Sequence, residues 1–232
     1  MRASWDAARV RLGARPDGPV DGMAGRGGMS ARQDLCGAVL CALGAAGTYA
    51  VSVLTEPGQR IDVEIFGWAQ RLDVGLLGDV LPVVARRVLP VLMLLVACGY
   101  VVRGVMQGRG ARVLAAATLV IVPTSACWVL REHVLWRPYY GDQYSYLHNT
   151  FPSTHAALVV SLCASVWLLA RPLTRHVSVA LIVVVVLALM GNVVGHAHRP
   201  SDVLGSLLVV AACALLVRRR DPPPSSGSGR LP

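Results

Sequence analysis

The chain has 232 residues, of which 54% are hydrophobic and only 15% are charged, and its mean hydropathy is +0.55. This balance is too apolar for an ordinary soluble domain and predicts a membrane protein that crosses the bilayer several times. All 22 basic residues are arginine. No basic helix or aromatic-interleaved basic patch accompanies the net charge of +9, so the composition does not indicate a nucleic-acid partner.

The two ends of the chain differ in composition from the rest. Residues 1–32 are rich in Arg, Gly, Asp and Pro and have no apolar core, so we predict a disordered cytoplasmic tail rather than a signal peptide. Met23 and Met29 offer alternative starts within this tail. Residues 218–232 have the composition of a linker and predict a second disordered cytoplasmic tail. Residues 33–217 then form a single membrane domain.

Six hydrophobic segments lie between the tails and predict an all-α bundle of six transmembrane helices. They comprise residues 36–54, 88–102, 113–130, 156–170, 177–194 and 203–217. Several are shorter than the roughly 20 residues expected of a span, so the helices must include flanking residues.

Residues 60–84, between the first two segments, mix apolar and charged side chains. The apolar residues recur close to helical spacing, with acids and arginines between them, at Ile61, Val63, Ile65, Phe66, Trp68 and Leu72. We therefore predict an amphipathic helix that lies at the membrane surface.

The arginine distribution predicts the orientation of the bundle. With the N-terminus inside, the inner segments contain 15 of the 22 arginines and the outer segments contain 7. This agrees with the positive-inside rule and places both termini in the cytoplasm. The polar clusters at the ends of the third, fourth and sixth segments then meet at the extracytoplasmic face.

The first of these clusters contains Arg137, which directly precedes Pro138. Proline disfavours helical geometry in the residue before it, so Arg137 is expected at a helix end, where its planar guanidinium suits phosphate oxygens. An arginine beside Trp136 is also a common membrane anchor, and this alternative stays open for the cluster alone.

The second cluster begins the fourth segment. Ser153 has the character of an N-cap, so the backbone N–H groups of Thr154 and His155 are expected at a positive helix end that suits an anion. The same residues also form an ordinary helix start, and alone they do not decide between the two interpretations.

The third cluster begins the sixth segment. Pro200 suits the first turn of a helix, which places His198 just before it and Asp202 about one turn in. A carboxylate there can hold one ring nitrogen of His198 and leave the other unprotonated and nucleophilic. A capped interfacial helix with no catalytic role is the alternative.

Together, the three clusters resemble the motifs of the type 2 phosphatidic acid phosphatase superfamily, which read K-x6-RP, PSGH and SR-x5-H-x3-D. The matching residues are Arg137-Pro138, Pro152-Ser153-Thr154-His155, and His198 with Asp202. The resemblance covers residues 36–217. It implies a metal-independent phosphatase without a cofactor, which acts on a lipid phosphate or diphosphate that arrives from the surrounding membrane lipid.

The resemblance also implies roles for single residues. His198 would attack phosphorus and form a phosphohistidine, Asp202 would orient it, and His155 would protonate the leaving oxygen as general acid. The residues implied to bind the phosphoryl oxygens are Arg137, Ser153 and Thr154, with Arg131, Arg199 and Asn192 as further candidates.

Two positions depart from the first two family motifs. Leu130 lies where the family has lysine, and Arg131 follows it about 100° around a helix, so Arg131 can substitute only where the helix is distorted. Thr154 replaces the family glycine, which keeps the backbone amide but crowds the phosphate.

The third motif departs most. Gly191 and Asn192 replace the family Ser-Arg pair, so one phosphate-binding arginine is absent. Arg199 or His196 would have to supply the missing donor. A catalytically attenuated descendant that binds lipid phosphates without turnover is therefore a second hypothesis.

Two other classes of protein fit the sequence less well. A metal protein would draw its ligands from His133, His148, His196, His198 and Asp202, but no ligand spacing in the sequence is diagnostic. A transporter is disfavoured because the predicted midplane is nearly free of charge and contains no broken helix. Among substrates, prenyl diphosphates, phosphatidate and phosphatidylglycerol phosphate fit the sequence equally.

Overall fold

The computed structural model describes residues 21–141, 148–171 and 173–218. Its eight α-helices are α1 Asp21–Thr48, α2 Glu56–Gln70, α3 Gly75–Val83, α4 Leu89–Met106, α5 Gly110–Val129, α6 Thr154–Leu169, α7 Arg175–Val194 and α8 Pro200–Arg218. π-helical turns extend α1, α3 and α5 at Tyr49–Val53, Val84–Val88 and Leu130–Val134. No strand occurs in the described ranges, and the predicted all-α class is confirmed.

Most of the two predicted tails lies outside the described residues. At the N-terminal end, however, α1 begins at Asp21, twelve residues before the predicted domain boundary at residue 33. Extending an existing helix by one residue adds one hydrogen bond without a new nucleation step, so a membrane span readily continues into a polar flank. At the other end, α8 ends at Arg218.

Five helices are long and apolar enough to cross a membrane, by length and composition. They are Ala31–Val53, Gly78–Met106, Gly110–Val134, Arg175–Val194 and Pro200–Arg218. They correspond to the first, second, third, fifth and sixth predicted segments. The fourth predicted segment is α6, which is apolar but has only 16 residues.

The helix α6 lies at the centre of the bundle. It packs against α4 at Met93, against α5 at Leu119 and Cys127, and against α8 at Val210. The first turn of α6 buries the small residue Ala157 completely, which lets neighbouring helices approach closely. The start of α6, where the PSTH motif lies, is therefore held rigidly against its neighbours.

The second long helix begins earlier than the hydrophobic pattern indicates. The sequence places residues 75–84 in the surface segment, but in the structure Gly75–Val83 forms α3, which continues through the π-turn Val84–Val88 into α4. Pro90 has no N–H for the carbonyl of Arg86, and the helix accommodates this loss with the wider turn, in which Leu89 donates to the Val84 carbonyl. A proline therefore marks a local widening here rather than a helix end.

The helix α2 presents its polar face to the protein and its apolar face outward. Gln59 and Asp62 are buried, and the Gln59 amide donates to the carbonyls of Val53 and Pro138 at 2.7 and 3.0 Å. In contrast, Trp68 is 69% exposed. Between residues 56 and 72, the exposed large apolar side chains are Ile61, Ile65, Trp68 and Leu72. They follow the spacing of one helix face.

Candidate active site

Asp202 accepts hydrogen bonds from three residues of the polar cluster, and it is fully buried in the first turn of α8. Its Oδ1 accepts a hydrogen bond from Arg137 Nη2 at 3.1 Å. Its Oδ2 accepts from Thr150 Oγ1 at 2.6 Å and from the backbone N–H of Arg199 at 3.0 Å. The ion pair and these hydrogen bonds compensate a carboxylate that would otherwise be costly to bury.

His198 lies just before α8, as the position of Pro200 predicts, and it is buried. Its Nδ1 is 3.6 Å from Asp202 Oδ2, somewhat longer than an ordinary hydrogen bond. Its backbone N–H donates to the Asn192 carbonyl at 3.1 Å, which fixes the loop after α7. A proton held on Nδ1 toward the carboxylate leaves Nε2 unprotonated, which is the form required of a nucleophile.

Arg137 has hydrogen-bond donors that its ion pair with Asp202 does not use. Its side chain is only 1% exposed, and while Nη2 pairs with Asp202, Nε and Nη1 have no partner among the residues that the structure describes. An unsatisfied buried donor costs about 1–3 kcal/mol, and more when it is charged. Such a guanidinium is well suited to an anion that accepts from two of its nitrogens.

The start of α6 joins the same network. Ser153 is its N-cap, as predicted, and Ser153 Oγ accepts from the N–H of Ala156 at 3.3 Å. The N–H of Ser153 donates to the backbone carbonyl of Asp202 at 3.1 Å, so this amide is already engaged. Thr154 Oγ1 is buried and has no partner among the described residues. The backbone amides that follow Ser153 remain the part of this motif best placed to bind an anion.

His155 borders an open cavity of about 360 Å³. The other lining residues are Pro82, Val83, Arg86 and Arg87, which come from the end of α3 and its π-turn. Both Arg86 and His198 lie close enough to His155 for their charges to act on it. His155 therefore shares this cavity with the two arginines of the π-turn.

Arg131 lies where the helix is distorted, since Leu130 and Arg131 begin the π-turn that follows α5. Its guanidinium pairs with Glu132, through Nε at 2.8 Å and Nη2 at 2.7 Å. Its charge nevertheless acts on His155. Arg131 thus adds positive charge near the site while its nitrogens bond to a carboxylate.

Asn192 does not take the place of the missing arginine in this arrangement. It is fully buried, and its Nδ2 donates to the carbonyl of Ala188 one turn earlier in α7 at 2.7 Å. His196, the other candidate for the missing donor, is exposed and its Nε2 lies 2.7 Å from Asp73 Oδ2. Arg199 is fully buried, and its backbone rather than its side chain bonds to Asp202.

Two residues of the network carry no signal in the motifs. Thr150 bonds to Asp202 and precedes the PSTH motif by two positions, where nothing in the sequence singles it out. Asp62 of α2 is buried and accepts from the Ser201 N–H at 3.0 Å and from Ser201 Oγ at 2.6 Å. The spacing of Gln59 and Asp62 on the side of α2 opposite its apolar stripe is the signal that indicates a polar face turned inward.

Burial raises the pKa of Asp62, and the nearby charge of Asp202 acts in the same direction. The two hydrogen bonds from Ser201 and the charge of Arg199 oppose this shift without cancelling it. Asp62 therefore connects α2 to the first turn of α8 through a carboxyl group whose ionisation is disfavoured by its surroundings.

Within residues 21–141, 148–171 and 173–218, no three His, Cys, Asp or Glu side chains are grouped so that they could hold a metal ion. This includes the candidate ligands that the sequence offered, because His196 pairs with Asp73 while His198 faces Asp202. The positive charge beside His198 comes from arginine side chains.

Comparisons with known proteins bear on the whole chain. The family model of the PAP2 superfamily matches residues 41–222. A search of curated proteins and a search of solved structures each returned no match. The family match spans most of the chain and includes all three polar clusters, and the protein belongs to the PAP2 superfamily.

Proposed function

We propose that the protein is a lipid phosphatase, which hydrolyses a lipid phosphate or diphosphate through a phosphohistidine on His198. Membership of the PAP2 superfamily indicates a membrane phosphatase. The observation that carries the finer proposal is the buried network of His198, Asp202 and Arg137, in which Arg137 keeps two donors available for an anion.

The first step would be attack of His198 Nε2 on phosphorus. A bond forms between nitrogen and phosphorus, the bond from phosphorus to the leaving oxygen breaks, and His155 protonates that oxygen. Arg137 and the amides after Ser153 would bind the phosphoryl oxygens as negative charge shifts in the transition state. Asp202 would stabilise the positive charge that develops on the His198 ring.

The second step would release phosphate. His155, now neutral, would remove a proton from a water molecule, whose oxygen attacks the phosphohistidine. The nitrogen–phosphorus bond breaks, inorganic phosphate leaves, and His198 returns to its starting form. No metal enters either step, because arginines and backbone amides provide the positive charge that the phosphate requires.

We further propose that α6 completes a bundle of six spans. Its 16 residues measure about 24 Å, less than the roughly 30 Å of a hydrocarbon core. However, α6 is buried among four other helices, which themselves meet the lipid. With six spans and the arginine distribution, both termini would be cytoplasmic and the site would face the extracytoplasmic side.

The exposed apolar stripe of α2 supports an interfacial position for this helix. Ile61 and Trp68 are 56% and 69% exposed, while Asp62 is bonded to Ser201 at the site. The helix would rest its apolar face in the membrane surface and its polar face on the phosphatase core. A lipid could then reach the site laterally while its head group enters the polar cluster.

Turnover of lipid phosphates by the purified protein tests the proposal. We expect phosphate release in detergent with a chelator present, and loss of release in His198→Ala and His155→Ala. His176→Ala is the matched control because His176 is exposed at the start of α7, at the far end of that helix from Asn192, and it should retain full activity.

The outcomes separate the two candidate functions. Undiminished turnover in His198→Ala would show that His198 is not the nucleophile. Head-group binding by the wild-type protein without any phosphate release would instead support the attenuated binding protein, which the inward-bonded Asn192 favours. Loss of activity in chelator would contradict the metal-independent mechanism.

A further inference from the structure

Arg86 and Arg87 belong to no motif of the family, yet they line the cavity beside His155. Both are exposed, and neither has an ion-pair partner among the residues that the structure describes. At about 360 Å³, the cavity falls in the range of small-molecule sites. The two arginines line it together with the apolar residues Pro82 and Val83.

The π-turn explains how two consecutive arginines reach one cavity. On an α-helix, neighbouring residues point about 100° apart, which normally separates their side chains. Arg86 and Arg87 lie within Val84–Val88, where the helix is wider and successive residues diverge less. Such turns occur frequently at functional sites.

Glycines of α7 hold this turn close to the site. A Cβ on Gly191 would collide with Cβ of Ala85 and would lie 2.8 Å from the Leu81 carbonyl oxygen. A Cβ on Gly195 would lie 2.6 Å from Cβ of Pro82. Gly191 occupies the position of the serine in the family Ser-Arg pair, and as glycine it makes room for the helix that carries Arg86 and Arg87.

The order of the groups indicates what the cavity receives. His155, the proposed general acid for the leaving oxygen, lines the cavity together with Arg86 and Arg87. In a phosphoryl transfer the nucleophile and the leaving group lie roughly in line on opposite sides of phosphorus. The cavity is therefore on the leaving-group side. A phosphate monoester releases a neutral alcohol there, whereas a diphosphate releases a lipid monophosphate that can bind two cations.

We propose that Arg86 and Arg87 bind the second, lipid-linked phosphate of a diphosphate substrate and make the protein prefer diphosphates over monophosphates. This inference rests on the proposed function. His198 Nε2 bonds to the terminal phosphorus, the bond from that phosphorus to the bridging oxygen breaks, and its electrons stay on the bridging oxygen. The lipid monophosphate then leaves with this oxygen protonated by His155 and with its other oxygens bound by the two arginines.

Kinetics with matched substrates test the proposal. We would measure kcat/KM for farnesyl diphosphate and farnesyl monophosphate in detergent with chelator present. The wild-type protein should favour the diphosphate. The double variant Arg86→Gln and Arg87→Gln should lose about tenfold to a hundredfold on the diphosphate and less than about threefold on the monophosphate. Arg86→Lys with Arg87→Lys, which keeps both charges, should retain part of the preference.

Arg71→Gln is the matched control. Like Arg86 and Arg87, Arg71 is an exposed arginine, but it follows α2, its guanidinium lies 4.9 Å from the centre of the Trp68 ring, and it does not line the cavity. It should leave both substrates unaffected. Because Arg86 and Arg87 are exposed, the double variant should keep the wild-type melting temperature, which shows that a loss of activity is not a loss of the fold.

Two results would overturn the proposal. One is a wild-type protein that prefers the monophosphate, and the other is an equal loss on both substrates in the double glutamine variant. His198→Ala reports on the proposed function separately, since it should abolish turnover of both substrates. A full loss there, together with an equal effect of the arginine substitutions on both substrates, would keep the phosphatase and remove the proposed role of Arg86 and Arg87.

Discussion

The two sides of the candidate site are built differently. On the nucleophile side, the side chains of Asp202 and Arg137 are almost completely buried and bonded to each other. On the leaving-group side, His155, Arg86 and Arg87 are exposed around an open cavity. Buried, preorganised charges act strongly on a reacting group, whereas an exposed cavity admits and releases a ligand. In the proposed mechanism, the closed side, with His198, Asp202 and Arg137, would carry out the chemistry. The open side, with His155, Arg86 and Arg87, would select the substrate.

The two sides also differ in the interactions that hold their residues in place. The closed side joins residues of α8 and of the segments before α6 and α8 through a shared carboxylate, Asp202. The open side is held by van der Waals packing of the π-turn on α7 at Gly191. Substitutions of the buried ion pair on the closed side should therefore lower both stability and activity, while substitutions of the exposed arginines on the open side should mainly change activity.

The largest effect is expected for Asp202→Asn. The amide is nearly isosteric with the carboxyl group but cannot balance the charge of Arg137, nor that of a positively charged His198 ring. We expect kcat to fall by about 10²- to 10⁴-fold. Removing one partner of a buried ion pair typically costs about 3–5 kcal/mol, so the melting temperature in detergent should fall clearly.

Thr150→Val is a milder substitution that affects the same carboxylate. It removes one of the hydrogen bonds to Asp202 and leaves the carboxylate and its pairing with Arg137 in place. Its loss of stability should be about 1 kcal/mol. Asp202→Asn with wild-type turnover would show that His198 needs no carboxylate, and the division between a closed and an open side would fail.

An intermediate effect is expected for Gly191→Ala on the open side. The added methyl group would collide with Ala85 and push the π-turn away from α7. Overpacking of this kind costs about 1–3 kcal/mol, and the displacement should carry Arg86 away from His155. We expect turnover of a lipid diphosphate to fall about tenfold, with a smaller change for the matched monophosphate.

Gly99→Ala provides the control for Gly191→Ala, because a Cβ on Gly99 in α4 would meet nothing within 4 Å. There, alanine should leave activity unchanged and raise helix stability slightly, since it is the better helix former. If Gly191→Ala behaved like Gly99→Ala, close packing against Ala85 would have no part in positioning the arginines.

The sequence predicts well those parts of the site that depend on local geometry. The N-cap at Ser153 follows from short-range rules for helix starts, and so does the placement of His198 and Asp202 around Pro200. The start of the second long helix was predicted too late, because the uninterrupted apolar segment begins at residue 88 whereas the helix begins at Gly78 and contains Pro82 and Pro90.

The parts that the sequence does not predict depend on packing between distant residues. Asp62 and Ser201 are 139 positions apart, and their contact arises only because the polar face of α2 packs against the start of α8. Likewise, nothing local connects Gly191 with Ala85. Glycine in a membrane helix is common, so its role appears only when the neighbouring backbone is in place.

The smallest effect is expected for Asp62→Asn, which concerns how α2 supports the closed side. Burial holds the pKa of Asp62 above its ordinary value of 3.8, so the folded protein binds this proton more tightly than the unfolded chain does. Stability should therefore decline as the pH rises from near 3.8 through the raised folded pKa, and then level off. The asparagine variant cannot ionise and should lack this decline. It also loses one acceptor for Ser201, a constant cost of about 1 kcal/mol.

Melting temperatures of the wild-type protein and Asp62→Asn over this pH range check the prediction. As the pH rises, the melting temperature of the variant should increase relative to that of the wild-type protein, because only the wild-type protein then has to bury a charged carboxylate. Asp73→Asn is the control, since Asp73 is a more exposed carboxylate that lies just after α2 and pairs with His196. If the wild-type protein and Asp62→Asn showed the same pH dependence, ionisation of Asp62 would not contribute to the stability of the closed side. The contact between α2 and α8 would then depend on hydrogen bonding alone.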